Sequence, residues 1–247
     1  MDCSAAAGTL GSAMAEMMLR LHIESKSFRT GRGELPVLGR IDIALGAREI
    51  VALVGPSGCG KSTLLRIVGG LDIDFQGTLD WRGAAMPRIG TVFQEPRLLP
   101  WRTVRQNLML VQRTENPGLA NELLHTLDLA PFSDAFPATL SLGMARRAAI
   151  ARAFAIAPEL VLLDEPFVSL DPAMAARSRE LLLTTWRARP TAALLVTHDR
   201  AEAAALADRI LLLAERPTRV LQEIIVPQAM CRSDSPPPLE GEGWGEG

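Results

Sequence analysis

The chain predicts an α/β fold with a mostly parallel sheet, and three observations carry that expectation. Short apolar runs alternate with helical patterns, as in a sheet whose strands are joined by crossover helices. The runs are apolar on both faces, which suits strands covered by helices on either side. A glycine-rich turn joins one run directly to a helix. The strands are Ile50 to Val54, Leu160 to Leu163, Ala193 to Thr197 and Ile210 to Leu213. A final hairpin is expected around Arg216, Pro217 and Thr218.

Between about Trp101 and Ala138 the texture changes. Helical spacing interrupted by Pro117, Pro131 and Pro137 predicts a helical subdomain inserted into the α/β core, over about residues 95–157. Residues 1–16 are small and rich in Ala, Gly and Ser, and read as a disordered extension, with Met17 or Met18 a plausible start. Residues 231–247 are rich in Pro, Gly and Glu and read as a disordered tail, which leaves 17–230 as the folded domain.

Composition narrows the function classes. A chain of 247 residues that is 48% hydrophobic can bury one large domain or two small subdomains. Its 26 Lys and Arg nearly balance 28 Asp and Glu, so the net charge of -2 gives no footprint for nucleic acid. Cys3, Cys59 and Cys231 are scattered, with neither disulfide nor metal-ligand spacing, which fits a reducing cytoplasm. No apolar run approaches the roughly 18 residues that span a bilayer. If a membrane is involved, another chain crosses it.

The chemistry begins at Gly55, Pro56, Ser57, Gly58, Cys59, Gly60, Lys61, Ser62 and Thr63, between a strand and a helical run from Thr63 to Val68. Glycines let backbone N–H groups converge on phosphates at a helix N-terminus, where the dipole favours anions. Lys61 suits the β- and γ-phosphates, and the Ser62 hydroxyl suits Mg²⁺. Cys59 reads as a small residue within that loop.

Leu160 to Glu165 is an apolar strand ending in two carboxylates. Asp164 can hold Mg²⁺ through water, and Glu165, pointing the other way, can polarise an attacking water as general base. Solvated loop carboxylates are common, so the pair gains its meaning from the phosphate loop. His198 ends another apolar strand, within reach of a γ-phosphate or the lytic water, although a locally satisfied strand-end histidine looks the same. Gln94, after a short apolar strand, offers an amide to both Mg²⁺ and that water. Asp171 before Pro172 reads as a helix N-cap, compatible with a second role.

Together these residues resemble the ATP-binding subunit of an ABC transporter, over about Leu19 to Val226. Gly55 to Thr63 is similar to Walker A, Gln94 to the Q-loop, Leu140 to Met144 to the signature, and Leu160 to Glu165 to Walker B. Ser169 to Asp171 resembles the D-loop and His198 the switch histidine. The resemblance implies a RecA-like P-loop NTPase core with an N-terminal antiparallel β-region. It also implies that Phe28 stacks on adenine, with a plain core or surface Phe as the rival reading.

The implied assembly is a head-to-tail homodimer in which Ser141 and Gly143 of one copy close over ATP held by the other. Hydrolysis would then drive integral-membrane permease subunits, served by a periplasmic solute-binding protein, from the cytoplasmic face of the inner membrane. The run Val92 to Trp101 is similar to that of the nitrate, sulfonate and taurine importers, a group that includes pyrimidine-precursor systems. An exporter ATPase or a non-transport ABC ATPase is the alternative.

Two departures stand out. Leu142 occupies a signature position where glycine is usual, and a branched side chain is expected to resist the backbone angles and close phosphate approach that glycine admits. Met144 replaces the usual Gln, a change common in this importer group. The segment between Lys61 and Gln94 also looks shortened, at the expense of a peripheral β-region.

Overall fold

The computed structural model describes residues 17–31, 33–81 and 85–227. The proposed extension 1–16 and tail 231–247, with Cys3 and Cys231, lie outside the described residues.

Two sheets share the core. β1 (Met17–Thr30) pairs antiparallel with β2 (Gly33–Leu38), β3 (Ile41–Gly46) and β5 (Gln76–Trp81). Its alternation explains the fold of this layer: Leu19, Leu21 and Ile23 are buried while Arg20 and Glu24 face outward, the period of a half-covered strand. The second sheet has six strands in the order β10-β9-β4-β8-β7-β6. These are β4 (Ile50–Val54), β6 (Ile89–Val92), β7 (Leu160–Asp164), β8 (Ala192–Thr197), β9 (Arg209–Leu213) and β10 (Val220–Ile225).

The four strands expected from their apolar runs are all present, and every pairing from β9 to β6 is parallel. β10 closes the edge antiparallel to β9, so the expected terminal hairpin is there as well. β4 and β8 are buried throughout, as central strands covered on both faces. Alternate residues of β4 serve opposite cores. Val51 and Leu53 pack with Leu19, Leu21 and Ile23 of β1, whereas Ile50, Ala52 and Val54 join the helical side.

The helices follow from local signals. α1 (Lys61–Val68) starts two residues before the expected Thr63, because Gly60, in the left-handed region at φ 116°, sets the turn that launches it. A Cβ there would lie 2.7 Å from Leu38 Cδ2, so packing and backbone both demand glycine. Between β6 and β7 lie α2 (Val104–Met109), α3 (Pro117–Thr126), two short 3₁₀ turns and α4 (Leu142–Ala155). Thr103 and Gln106 form a capping box on α2, and Pro117 opens α3 at the position where its missing N–H costs nothing. α5 (Pro172–Ala188) and α6 (Arg200–Leu206) complete the layer.

The helical core is knit around Phe154 of α4, which is fully buried with Val161, Leu163, Leu195 and Trp186. Trp186 Nε1 donates to the Thr191 carbonyl at 2.8 Å, tying the end of α5 to the start of β8. Phe154→Ala is expected to cost about 3–5 kcal/mol through lost transfer energy and an unfilled cavity. Urea unfolding followed by tryptophan fluorescence and far-UV circular dichroism checks this, and a loss below about 1 kcal/mol would contradict the packing described.

Candidate functional site

Parallel register gathers the site. Val54 of β4 lies opposite Thr197 of β8, Asp164 of β7 opposite Val196, and Val92 of β6 opposite Leu163. Four strands therefore end along one edge, and Gly55, His198, Glu165 and Gln94 follow just beyond those strand ends. Ligands bind in such open α/β sheets at the carboxyl ends of the strands.

The loop from Gly55 to Thr63 wraps the N-terminus of α1. No side chain caps this helix and no acidic residue lies in its first turn, so its leading N–H groups and dipole suit an anion. Lys61, only 4% exposed, folds back into the loop and donates from Nζ to the carbonyls of Gly55 at 2.8 Å and Pro56 at 2.9 Å. Cys59 is buried beneath, with its carbonyl accepting from the Thr218 hydroxyl and its N–H donating to Pro56 at 3.3 Å. It is a packing residue of the loop floor.

The acidic pair separates into two sets of contacts. The Ser62 hydroxyl donates to Asp164 Oδ1 at 3.2 Å, so a hydroxyl from the first turn of α1 and a carboxylate from the end of β7 meet at one point. Burial pushes the Asp164 carboxyl up, and the Ser62 hydrogen bond and the charges of Lys61 and Arg97 oppose that shift. These hard oxygen donors fit Mg²⁺, which takes few protein ligands and keeps several waters. Glu165, 15% exposed, points elsewhere: Oε1 lies 4.0 Å from Lys61 Nζ and Oε2 lies 3.3 Å from His198 Nδ1.

Glu165 also carries strain. Its φ of 46° puts a non-glycine residue in the left-handed region, and the following Pro166 disfavours the right-handed alternative. Such conformers persist where neighbours over-determine them. Here the Glu165 N–H donates to Val196 at 2.9 Å, and Arg146 Nη1 reaches the carbonyls of Glu165 at 3.2 Å and Pro166 at 2.9 Å.

His198, 52% exposed, is presented by a short relay. The Thr197 hydroxyl accepts from the Asp199 N–H at 3.0 Å and donates to Glu202 Oε2 at 3.0 Å, while Asp199 caps α6. A cleft of about 320 Å³ opens beside Glu165 and His198, lined also by Ser169, Leu170, Arg179 and Glu202.

Ser141, Gly143 and Asp171 form a second group. Ser141 caps α4, its hydroxyl accepting from Met144 N–H at 3.3 Å, and Asp171 caps α5 by accepting from Ala173 and Met174. A Cβ on Gly143 would lie 2.8 Å from Met174 Sδ, so glycine there permits the close contact between signature and D-loop helices. The expected backbone conflict at Leu142 does not arise. Leu142 is the first residue of α4, with no left-handed φ, and its side chain is 45% exposed.

Gln94 is exposed just beyond β6, on a segment held from two sides. Arg152 of α4 donates to the carbonyls of Arg97 at 2.6 Å and Pro96 at 2.9 Å, and the Asn107 amide ties Leu99, Arg102 and Thr103 to α2. Phe28 sits near the end of β1, 37% exposed, with Lys26 Nζ 4.7 Å from its ring centroid. Lys26 is itself buried and bonded to Asp72 at 2.9 Å; burial pulls its pKa down, but Asp72 and Asp74 outweigh it and hold the ammonium above its ordinary value.

Sequence reasoning missed Lys26, Arg146, Arg152 and Glu202. The spacing of Lys26 and Phe28 on one strand face was an available signal for the first; the others gain meaning only from contacts across the fold.

The ABC transporter family model matches residues 38–168. The aliphatic sulfonates import ATP-binding protein SsuB 2 of Burkholderia lata is 44% identical over 91% of this chain and 83% of its own length. The corresponding protein SsuB of Bacillus licheniformis is 38% identical, over 90% and 89% of the two chains. A dimeric post-hydrolysis structure of an ATP-binding cassette bound to ADP and Pi superposes with a TM-score of 0.73 at 29% identity, covering 85% of this chain and 99% of that one. With Lys61, Asp164, Glu165 and His198 gathered along one sheet edge, the chain belongs to the ABC transporter family, as an ATP-binding subunit.

Proposed function

We propose that the chain hydrolyses ATP to drive import of a small anionic solute of the sulfonate class, paired head-to-tail with a second copy and seated under membrane-spanning permease subunits. The contact of Glu165 with both Lys61 and His198, beside the Ser62–Asp164 pair, carries this reading. The names of the relatives support the import direction and solute class. No helix among the described residues is long and apolar enough to cross a membrane, and in this reading the path for the solute lies in partner chains. A solute-binding protein outside the membrane and a position on the cytoplasmic face complete the proposed arrangement.

Each residue takes a task that its position allows. Lys61 and the N-terminus of α1 hold the β- and γ-phosphates, and the Phe28 ring, backed on one side by Lys26, offers its other face to adenine. Ser62 and Asp164, with Gln94 from the segment after β6, would hold Mg²⁺, which supplies charge neutralisation on the phosphate oxygens when bound. Glu165 accepts the proton of the attacking water, and His198 orients carboxylate and γ-phosphate. Ser141, exposed at the head of α4, and the backbone of Gly143, buried against Met174, would close on the partner copy's nucleotide, with Asp171 capping α5.

Glu165→Gln is expected to lower kcat by about 10²-fold or more while ATP still binds, and to trap a dimer on size-exclusion chromatography with ATP. Near-parental turnover would remove Glu165 from the role of base. Lys61→Ala should instead abolish binding itself, read by equilibrium dialysis of labelled ATP; retained affinity would contradict the phosphate assignment.

Glu202 generates a pH dependence. Burial raises its pKa from 4.5 to about 7, reinforced by Asp199 and opposed by the Thr197 hydrogen bond, Arg179 and His198. The folded chain therefore keeps this proton between those values while the unfolded chain has released it. The associated stability is fully present below pH 4.5 and is lost as pH rises through about 7. On the order of 3 kcal/mol is at stake for a shift of this size in a buried group. Chemical unfolding of the parent and Glu202→Gln at pH 5 and 8 isolates the effect: the variant's relative stability should rise with pH, and a constant difference would refute it.

A further inference from the structure

α4 begins at the signature turn and ends in the core, and on its way it grips the turn that bears the catalytic carboxylate. Arg146 is 5% exposed. Its Nη1 spans the carbonyls of Glu165 and Pro166, its Nε has no hydrogen-bond partner among the described residues, and burial pulls its pKa down against the opposing charges of Glu165 and Glu202. A buried, incompletely bonded cation is a poor source of stability, and well-packed apolar replacements of such groups are often neutral or better. What a planar guanidinium supplies here is orientation. It fixes the peptide on the far side of a left-handed residue whose near side is fixed by the bond from Glu165 N–H to Val196.

We infer that Arg146 is a positioning residue for Glu165, so that the signature turn of one ATP site and the general base of the other move as a single unit. Ser141 caps the helix that carries Arg146, and any shift of that cap on closure over the partner's nucleotide is delivered to the Glu165–Pro166 peptide. Arg152, on the same helix, carries the same shift to the carbonyls of Pro96 and Arg97 beyond Gln94. The inference rests on the reading of Glu165 as general base and on head-to-tail pairing.

The test compares Arg146→Met, Arg146→Lys, Glu165→Gln and the Arg146→Met/Glu165→Gln double variant, scoring ATP affinity, thermal midpoint and single-turnover hydrolysis. Arg146→Met should lose about 10- to 100-fold in kcat with ATP affinity within about twofold of the parent, as displacement of a base does. Arg146→Lys should recover part of that loss, because one donor still reaches the carbonyls. In the Glu165→Gln background, Arg146→Met should remove nothing further, since its effect passes through the missing carboxylate.

A kcat within about twofold of the parent, or an equal loss in both backgrounds, overturns the inference. If Arg146→Met does not fold, a reduced kcat at unchanged affinity in Arg146→Lys supports the inference, and an unchanged kcat there overturns it. If Glu165→Gln itself keeps parental turnover, the assignment of the base falls and this inference with it; a dead Glu165→Gln beside an active Arg146→Met removes the inference alone.

Discussion

Parallel pairing of β4, β8 and β7 is the constraint on which the site depends. In a parallel ladder every strand ends on the same side, so the residues that follow Val54, Asp164 and Thr197 meet without long loops to carry them. The strands hold that register because they are buried on both faces. Slipping β8 by one residue would exchange Leu194 and Val196, in the core under β1, with Ala193 and Leu195, in the helical core. Hydrophobic burial in two separate cores thereby fixes the placement of Lys61, Glu165 and His198 relative to one another.

On that rigid edge the polar groups are organised by a few cations, each used differently. Lys61 is turned inward onto its own loop carbonyls and sits 4.0 Å from Glu165, so the same ammonium that suits phosphate also meets the carboxylate. Lys26 backs the Phe28 ring and is neutralised by Asp72, which keeps its charge from being a general anion trap at the protein surface. Arg146, Arg147 and Arg152 radiate from α4 to the Walker B turn, to the Leu127 carbonyl at the end of α3 and to the segment beyond Gln94. One helix thus ties together the turn after β7, the end of α3 and the segment after β6.

The legibility of these features in the sequence follows the range of the forces behind them. The phosphate loop could be read because its requirements are local: glycine at a left-handed φ, a lysine and a hydroxyl at the mouth of a helix. The central strands could be read because burial on both faces leaves a continuous apolar run. The backbone at Leu142 could not be read because the comparison with glycine assumed special angles, whereas an N1 position in a helix accepts a leucine. Arg146 could not be read at all, since a basic residue in an Ala-rich helix ordinarily faces solvent, and only the fold reveals that this one meets the end of β7.

Strain at Glu165 then acquires a physical role. A left-handed residue at the end of β7 turns the carboxylate away from the Ser62–Asp164 point and toward Lys61 and His198, giving two adjacent acids different partners. Relaxed extended backbone would continue the strand and its alternation, sending the next side chain to the opposite face of the sheet. The cost of the left-handed state, roughly 1–2 kcal/mol, is offset by the bonds from Val196 and Arg146 that hold the peptide on either side. One of those bonds comes from the signature helix, so the backbone at Glu165 is held by the same helix that Ser141 caps.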